Sequence, residues 1–181
     1  MKTLLNFQHE PAARSITARV IATSGGPFAD GMIVTAGRRE GVREGMAAVT
    51  ADGLIGRVIE VGDWSARIML ITDINSRIPA MLQEGGARGI LTGGDRPALD
   101  LLYLPPDAPA RRGARVVTSG HGGVFPPQIP IGIVATQDRN AARIIPAADL
   151  GRVDYVRLVD FRLAGGDANA FERALQTADR P

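Results

Sequence analysis

The chain has 181 residues, 45% of them hydrophobic, with 21 basic against 19 acidic side chains, 4% aromatics and no cysteine. That length holds one large domain or two small ones around a real core, and the missing cysteines exclude both a disulfide framework and a thiolate metal site. A net charge of +2 with so few aromatic rings excludes the basic, stacking surface that single-stranded nucleic acid requires.

The 22 glycines and 12 prolines cut the chain into short pieces, which suits strands and turns better than long helices. Residues 1–14 carry Leu4, Leu5 and Phe7 ahead of Pro11, a stub that reads either as the last turn of a helix or as an arm packed on the body. From Ile16 the period changes. Runs of β-branched and aliphatic residues predict strands over 16–22, 31–35, 46–50, 54–61, 66–72 and 77–82. Turn signals separate them: Ser24-Gly25-Gly26-Pro27, the stretch 37–45, Asp52-Gly53 and Gly62-Asp63. Asp52-Gly53 suits a two-residue hairpin because both residues tolerate positive φ.

Strict alternation over 54–61 puts Leu54, Gly56, Val58 and Glu60 on one face and Ile55, Arg57, Ile59 and Val61 on the other. Neither face is purely polar, so another sheet or a second subunit is expected to cover part of the outer side. Ile55, Arg57 and Ile59 are therefore candidate partner contacts. A second series of strands is predicted over 87–92, 98–104, 114–119, 129–135, 142–145 and 153–159, with the proline-rich stretch 105–109 as an irregular loop. Beyond Phe161 the sequence becomes a polar tail in which 168–178 has little apolar surface to hold a helix.

The chain repeats itself. Leu54-Ile55-Gly56-Arg57-Val58-Ile59 is echoed by Ile129-Pro130-Ile131-Gly132-Ile133-Val134-Ala135, and Ala66-Arg67-Ile68 by Ala142-Arg143-Ile144, both at an offset of 76 (132 − 56 and 142 − 66). Ile33-Val34-Thr35-Ala36-Gly37 is echoed by Val116-Val117-Thr118-Ser119-Gly120 at a different offset, 83 (120 − 37). Echoes in conserved order imply two related β-units. An all-β protein of two small closed barrels side by side is expected, the first over 15–80, the second over 81–160, with the final strand able to cross between them and 161–181 as a tail.

Two β-barrels raise the question of a serine-protease triad, which needs a histidine base, an orienting carboxylate and a serine within hydrogen-bond reach. His9 sits in the stub, where a catalytic base is poorly held, and His121 in a glycine-flanked turn close to Ser119, so no working triad is expected. Scattered acids such as Asp95, Asp100 and Asp107 offer no metal-ligand spacing. Lys2 is the only lysine, so no phosphate loop is present. No catalytic residue, metal or cofactor is assigned. Arg38, Arg39, Glu40, Arg43 and Glu44 read as a solvated turn, whereas Val124 and Phe125, beside Pro126-Pro127, either form an exposed contact loop or plug a barrel end. The apolar runs are too short to cross a bilayer and residues 1–5 lack a signal-peptide core, so the chain is either cytoplasmic or an ectodomain whose anchor is left out.

In order and spacing, several segments resemble the extracytoplasmic domain of the MreC family of rod shape-determining proteins. These are Ala18-Arg19-Val20-Ile21, 41–46 (GVREGM), 53–58 (GLIGRV), Leu70-Ile71-Thr72-Asp73, Ser76-Arg77-Ile78-Pro79, 88–93 (RGILTG), Val117-Thr118-Ser119-Gly120 and 130–134 (PIGIV). The resemblance implies two six-stranded β-barrels in a chymotrypsin-like arrangement without protease activity. It makes the N-terminal stub the end of a coiled coil. It further implies a periplasmic scaffold, anchored in the inner membrane, that links peptidoglycan synthases to the MreB cytoskeleton through MreD, penicillin-binding protein 2 and RodA, and that self-associates into dimers or filaments. The competing expectations are a degenerate serine hydrolase on the same barrels and a glycan-binding module.

Overall fold

The structure is a computed structural model that describes residues 14–25, 30–94, 98–108, 110–121, 125–138 and 141–160. The N-terminal stub, Val124 and the tail beyond Asp160 lie outside the described residues. The described residues form twelve strands, one for each apolar run of the sequence. They are β1 (Arg14–Gly25), β2 (Asp30–Val34), β3 (Ala47–Thr50), β4 (Gly53–Val61), β5 (Ala66–Leu70), β6 (Arg77–Leu82), β7 (Arg88–Thr92), β8 (Leu99–Leu102), β9 (Arg115–Thr118), β10 (Pro130–Asp138), β11 (Ala141–Pro146) and β12 (Tyr155–Asp160). A 3-10 turn at Arg38–Glu40 interrupts the connection from β2 to β3. A two-residue hairpin joins β3 to β4, but its loop is Ala51-Asp52 and not Asp52-Gly53: Gly53, at φ 147°, already pairs with Thr50, and Asp52 does not take a positive φ.

The strands close into two six-stranded barrels, ordered β1-β12-β3-β4-β5-β2 and β10-β11-β8-β7-β6-β9. Strand β6 follows β5 in sequence yet lies in the second barrel, between β7 and β9. Strand β12 follows β11 yet lies in the first, between β1 and β3. The second barrel is therefore the consecutive run β6–β11, whereas the first closes β1–β5 with β12 from the far end of the described chain. A boundary at residue 80 divides β6, whereas all of β6 belongs to the second barrel.

The repeated sequence has a structural counterpart. Gly56 pairs with Leu70 and Val58 with Ile68, and the register then slips so that Glu60 faces Arg67. In the second barrel Gly132 pairs with Pro146 and Val134 with Ile144, and the register slips at the same place, so that Thr136 faces Arg143. A second slip matches too: Ala48 faces Gly56 but Val49 faces Leu54, as Val116 faces Gly132 but Val117 faces Pro130. Strands β3-β4-β5 and β9-β10-β11 are thus one bulged unit used twice. The echo at offset 83 has no such counterpart: Val34 on β2 pairs with β5, whereas Val117 on β9 pairs with β10 and β6.

Side chains of the first barrel fill its interior with Met32, Val34, Ile55, Val58, Ile68 and Leu158 among others. The second core is larger because it draws on both barrels. Ala47, Val49, Leu54, Ile71 and Val159 leave the first barrel's outer face and join Leu82, Leu91, Leu101, Ile129 and Ile144. Fully burying a side chain the size of Val or Leu contributes about 1.5–3 kcal/mol, so this shared layer holds the barrels together firmly. It is also the cover that the mixed faces of β4 demand.

Candidate functional site

The residues singled out on β4 separate once the strand is folded. Leu54 and Ile55 lie on opposite faces, as alternation predicts, and both are fully buried, in the second and first cores respectively; the register slip between Leu54 and Gly56 then sends Val58 into the same core as Ile55. Ile55, 0% exposed, is therefore a core residue of the first barrel. Arg57 is half-buried, and Ile59, extruded by the second bulge, is 39% exposed. Phe125 is 4% exposed and packs in the second core, which decides between contact loop and plug in favour of the plug. Its loop is pinned by buried Thr118, whose Oγ1 donates to the Pro126 carbonyl at 2.6 Å and accepts the Ile129 N–H at 2.9 Å.

Arg57 and Phe125 nevertheless border the same crevice. Together with Gly56, Met69, Ser76, Arg77 and Ile78 they line it where the barrels join. The lining holds two guanidinium groups and no acid. Arg77 spends one nitrogen on the carbonyls of Ile74 and Ser76, at 2.7 and 3.0 Å. Among the described residues Arg57 has no carboxylate partner. Next to the crevice, Thr72 and Asp73 serve the fold. Asp73 accepts the N–H groups of Asp30 and Asn75, and Thr72 Oγ1 donates to Asp30 Oδ2 at 2.7 Å. These contacts fasten the start of β2 to the loop leaving β5.

Ser119 and His121 meet where the His121 backbone N–H donates to the Ser119 hydroxyl, Oγ, at 3.2 Å, which is not the imidazole-to-hydroxyl contact of a nucleophile and its base. Among the described residues no three His, Cys, Asp or Glu side chains converge as metal ligands.

A surface that no sequence motif announces lies at the β4–β5 hairpin tip. There Trp64, the chain's single tryptophan, is 66% exposed. The Arg38-Arg39 turn, expected to be merely solvated, is docked on this tip. The N–H of Arg38 donates to the Gly62 carbonyl at 2.8 Å, and that of Arg39 to the Asp63 carbonyl at 3.3 Å. Arg38 Nη1 meets Asp63 Oδ1 at 2.6 Å, and its Nη2 donates to the Val61 carbonyl at 3.3 Å. Glu40 turns back to accept the Gly37 N–H at 2.7 Å. Gly37 must be glycine here, since a Cβ would overlap the Gly62 carbonyl oxygen. Arg39 then lies over the Trp64 ring, its guanidinium carbon 3.8 Å from the ring centroid. A lone tryptophan in a turn, following a double arginine some 25 residues upstream (63 − 38), was the available signal.

Comparison with known proteins bears on the chain's family and fold. Residues 20–160 match the family described as rod shape-determining protein MreC, barrel core. The chain is 40% identical over 150 residues to the cell shape-determining protein MreC of Cereibacter sphaeroides, covering 83% of this chain and 50% of that protein. The chain spans about half the length of the curated relatives it matches. Among solved structures, MreC from Pseudomonas aeruginosa superposes with a TM-score of 0.76 at 31% identity, over 81% of this chain and 99% of that one. The major periplasmic domain of the cell shape-determining filament MreC gives 0.73 at 30% identity, over 82% and 98%. A chain of the complex between penicillin-binding protein 2 and MreC from Helicobacter pylori gives 0.67 at 15% identity, over 83% and 99%, a likeness of fold alone.

Proposed function

Because the chain belongs to the MreC family of rod shape-determining proteins, we propose that it is a non-catalytic scaffold of bacterial cell elongation. In this reading it works in the periplasm, as the soluble portion of a protein held at the inner membrane by an anchor and a coiled coil. It positions penicillin-binding protein 2 and RodA, and it connects them through MreD to the MreB cytoskeleton. Self-association into dimers or filaments extends the scaffold along the cell.

The observation that carries this reading is the complex of penicillin-binding protein 2 with the Helicobacter pylori MreC, described together with a fold that this chain shares. The filament description of another relative supports the self-association. The barrels fit such a role physically: a shared core makes them one rigid block, and a rigid block presents contact residues at fixed spacing without an ordering cost at each encounter.

The test is functional replacement. In cells depleted of the native protein, full-length Ser119→Ala and His121→Ala variants are expected to restore rod shape as the wild type does. Round cells with both variants, accompanied by loss of a hydrolytic activity that the wild type shows, would return the hydrolase reading.

A further inference from the structure

We propose that Trp64 and Arg39 form the anchor by which this chain grips its transpeptidase partner, entering a pocket with apolar walls and a carboxylate at the rim. The proposal rests on the scaffold reading above and names the surface that performs it.

A tryptophan exposed on a fixed backbone is unusual in a monomer's surface, because a large ring is normally covered. Here the hairpin tip cannot drift away from the 3-10 turn: two backbone hydrogen bonds, the Arg38–Asp63 pair and the closely packed Gly37 tie them together. The ring is therefore held ready, and binding loses little conformational freedom. Tryptophan and arginine are the residue types most enriched among the few that dominate binding energy at protein interfaces.

Charge identifies the occupant. Arg39 covers one face of the ring, and Trp64 still remains 66% exposed. Among the described residues Arg39 has no carboxylate partner, whereas Arg38 does. The knob is thus an apolar ring with an uncompensated positive charge beside it. A second copy of this chain offers no match in its inter-barrel crevice, because Arg57 and Arg77 line it without an acid and like charges in apposition are costly. A different protein with an acid-rimmed apolar pocket supplies both complements.

The single tryptophan allows a direct test. The chain is produced with 5-fluorotryptophan, which yields one fluorine resonance, and is titrated with the unlabelled periplasmic domain of the penicillin-binding transpeptidase from the same organism. The Trp64 resonance is expected to shift or broaden as the complex forms. Trp64→Ala and Arg39→Glu, each shown to be folded by its thermal melt, are expected to weaken binding about thirtyfold or more. Ile145→Ala, an exposed apolar residue on the second barrel, is the control and should leave affinity unchanged. Wild-type affinity in folded Trp64→Ala overturns the anchor and leaves the scaffold reading standing. Failure of the wild-type chain to bind overturns both. A resonance that responds to the chain's own concentration and not to the transpeptidase assigns the surface to self-association and also overturns the proposal.

Discussion

Two glycines explain much of why this sequence makes these barrels. Gly56 and Gly132 sit in mid-strand, where glycine weakens a strand unless a close approach demands it. It does: a Cβ on Gly56 would overlap the Met69 carbonyl oxygen, and one on Gly132 the Ile145 carbonyl oxygen. Gly56→Ala and Gly132→Ala are each expected to destabilise the chain by about 1–3 kcal/mol through overpacking, read as a lower urea midpoint at unchanged slope. At Gly85, φ 80° with open space around the missing Cβ, alanine should cost only about 1 kcal/mol, the backbone penalty alone. Wild-type stability in Gly132→Ala would contradict the account of the bulged unit. At this scale the sequence shows that the glycines recur but not why, since the obstructing carbonyl belongs to another strand. Phe125 illustrates the same limit. A loop sequence has no period from which burial can be read, so the choice between plug and contact waited on its neighbours.

All twelve strands were legible from β-branched runs and the turns between them, because turn chemistry and apolar clustering are local. Their partners were not. The pairing of β12 with β1 and β3 joins residues at opposite ends of the chain, and nothing in either segment announces it. Strict alternation also failed on β4, where two bulges each shift the face by one residue; the exposed Ile59 and the placing of Val58 in the same core as Ile55 follow from that. The return of β12 makes closure of the first barrel depend on a strand that follows the whole of the second. A chain ended after Leu150 lacks β12 and leaves the edges of β1 and β3 unpaired. Such a chain is expected to lose amide-exchange protection throughout β1–β5, with a peptide spanning residues 150–160 restoring it when added in excess. Full protection of β1–β5 in the shortened chain would show that the first barrel closes without its borrowed strand.

As a whole molecule the chain is two copies of one bulged unit fused through a common core, with its distinctive surfaces placed where the copies differ. The β4–β5 tip carries Trp64, clasped by the 3-10 turn; the junction carries Arg57 and Arg77 beside Phe125. The fold class and the family were visible in the order of short motifs, whereas the exposed tryptophan was not, because exposure depends on what fails to pack against it. A scaffold must bind, and binding is what most directly tests the account. The decisive measurement is isothermal titration calorimetry of the wild-type chain against the periplasmic domain of its own penicillin-binding transpeptidase. Saturable binding at one-to-one stoichiometry is the predicted result. Absence of any complex at about 100 μM of each protein, where a micromolar affinity would already bring most of the chain into complex, would contradict it.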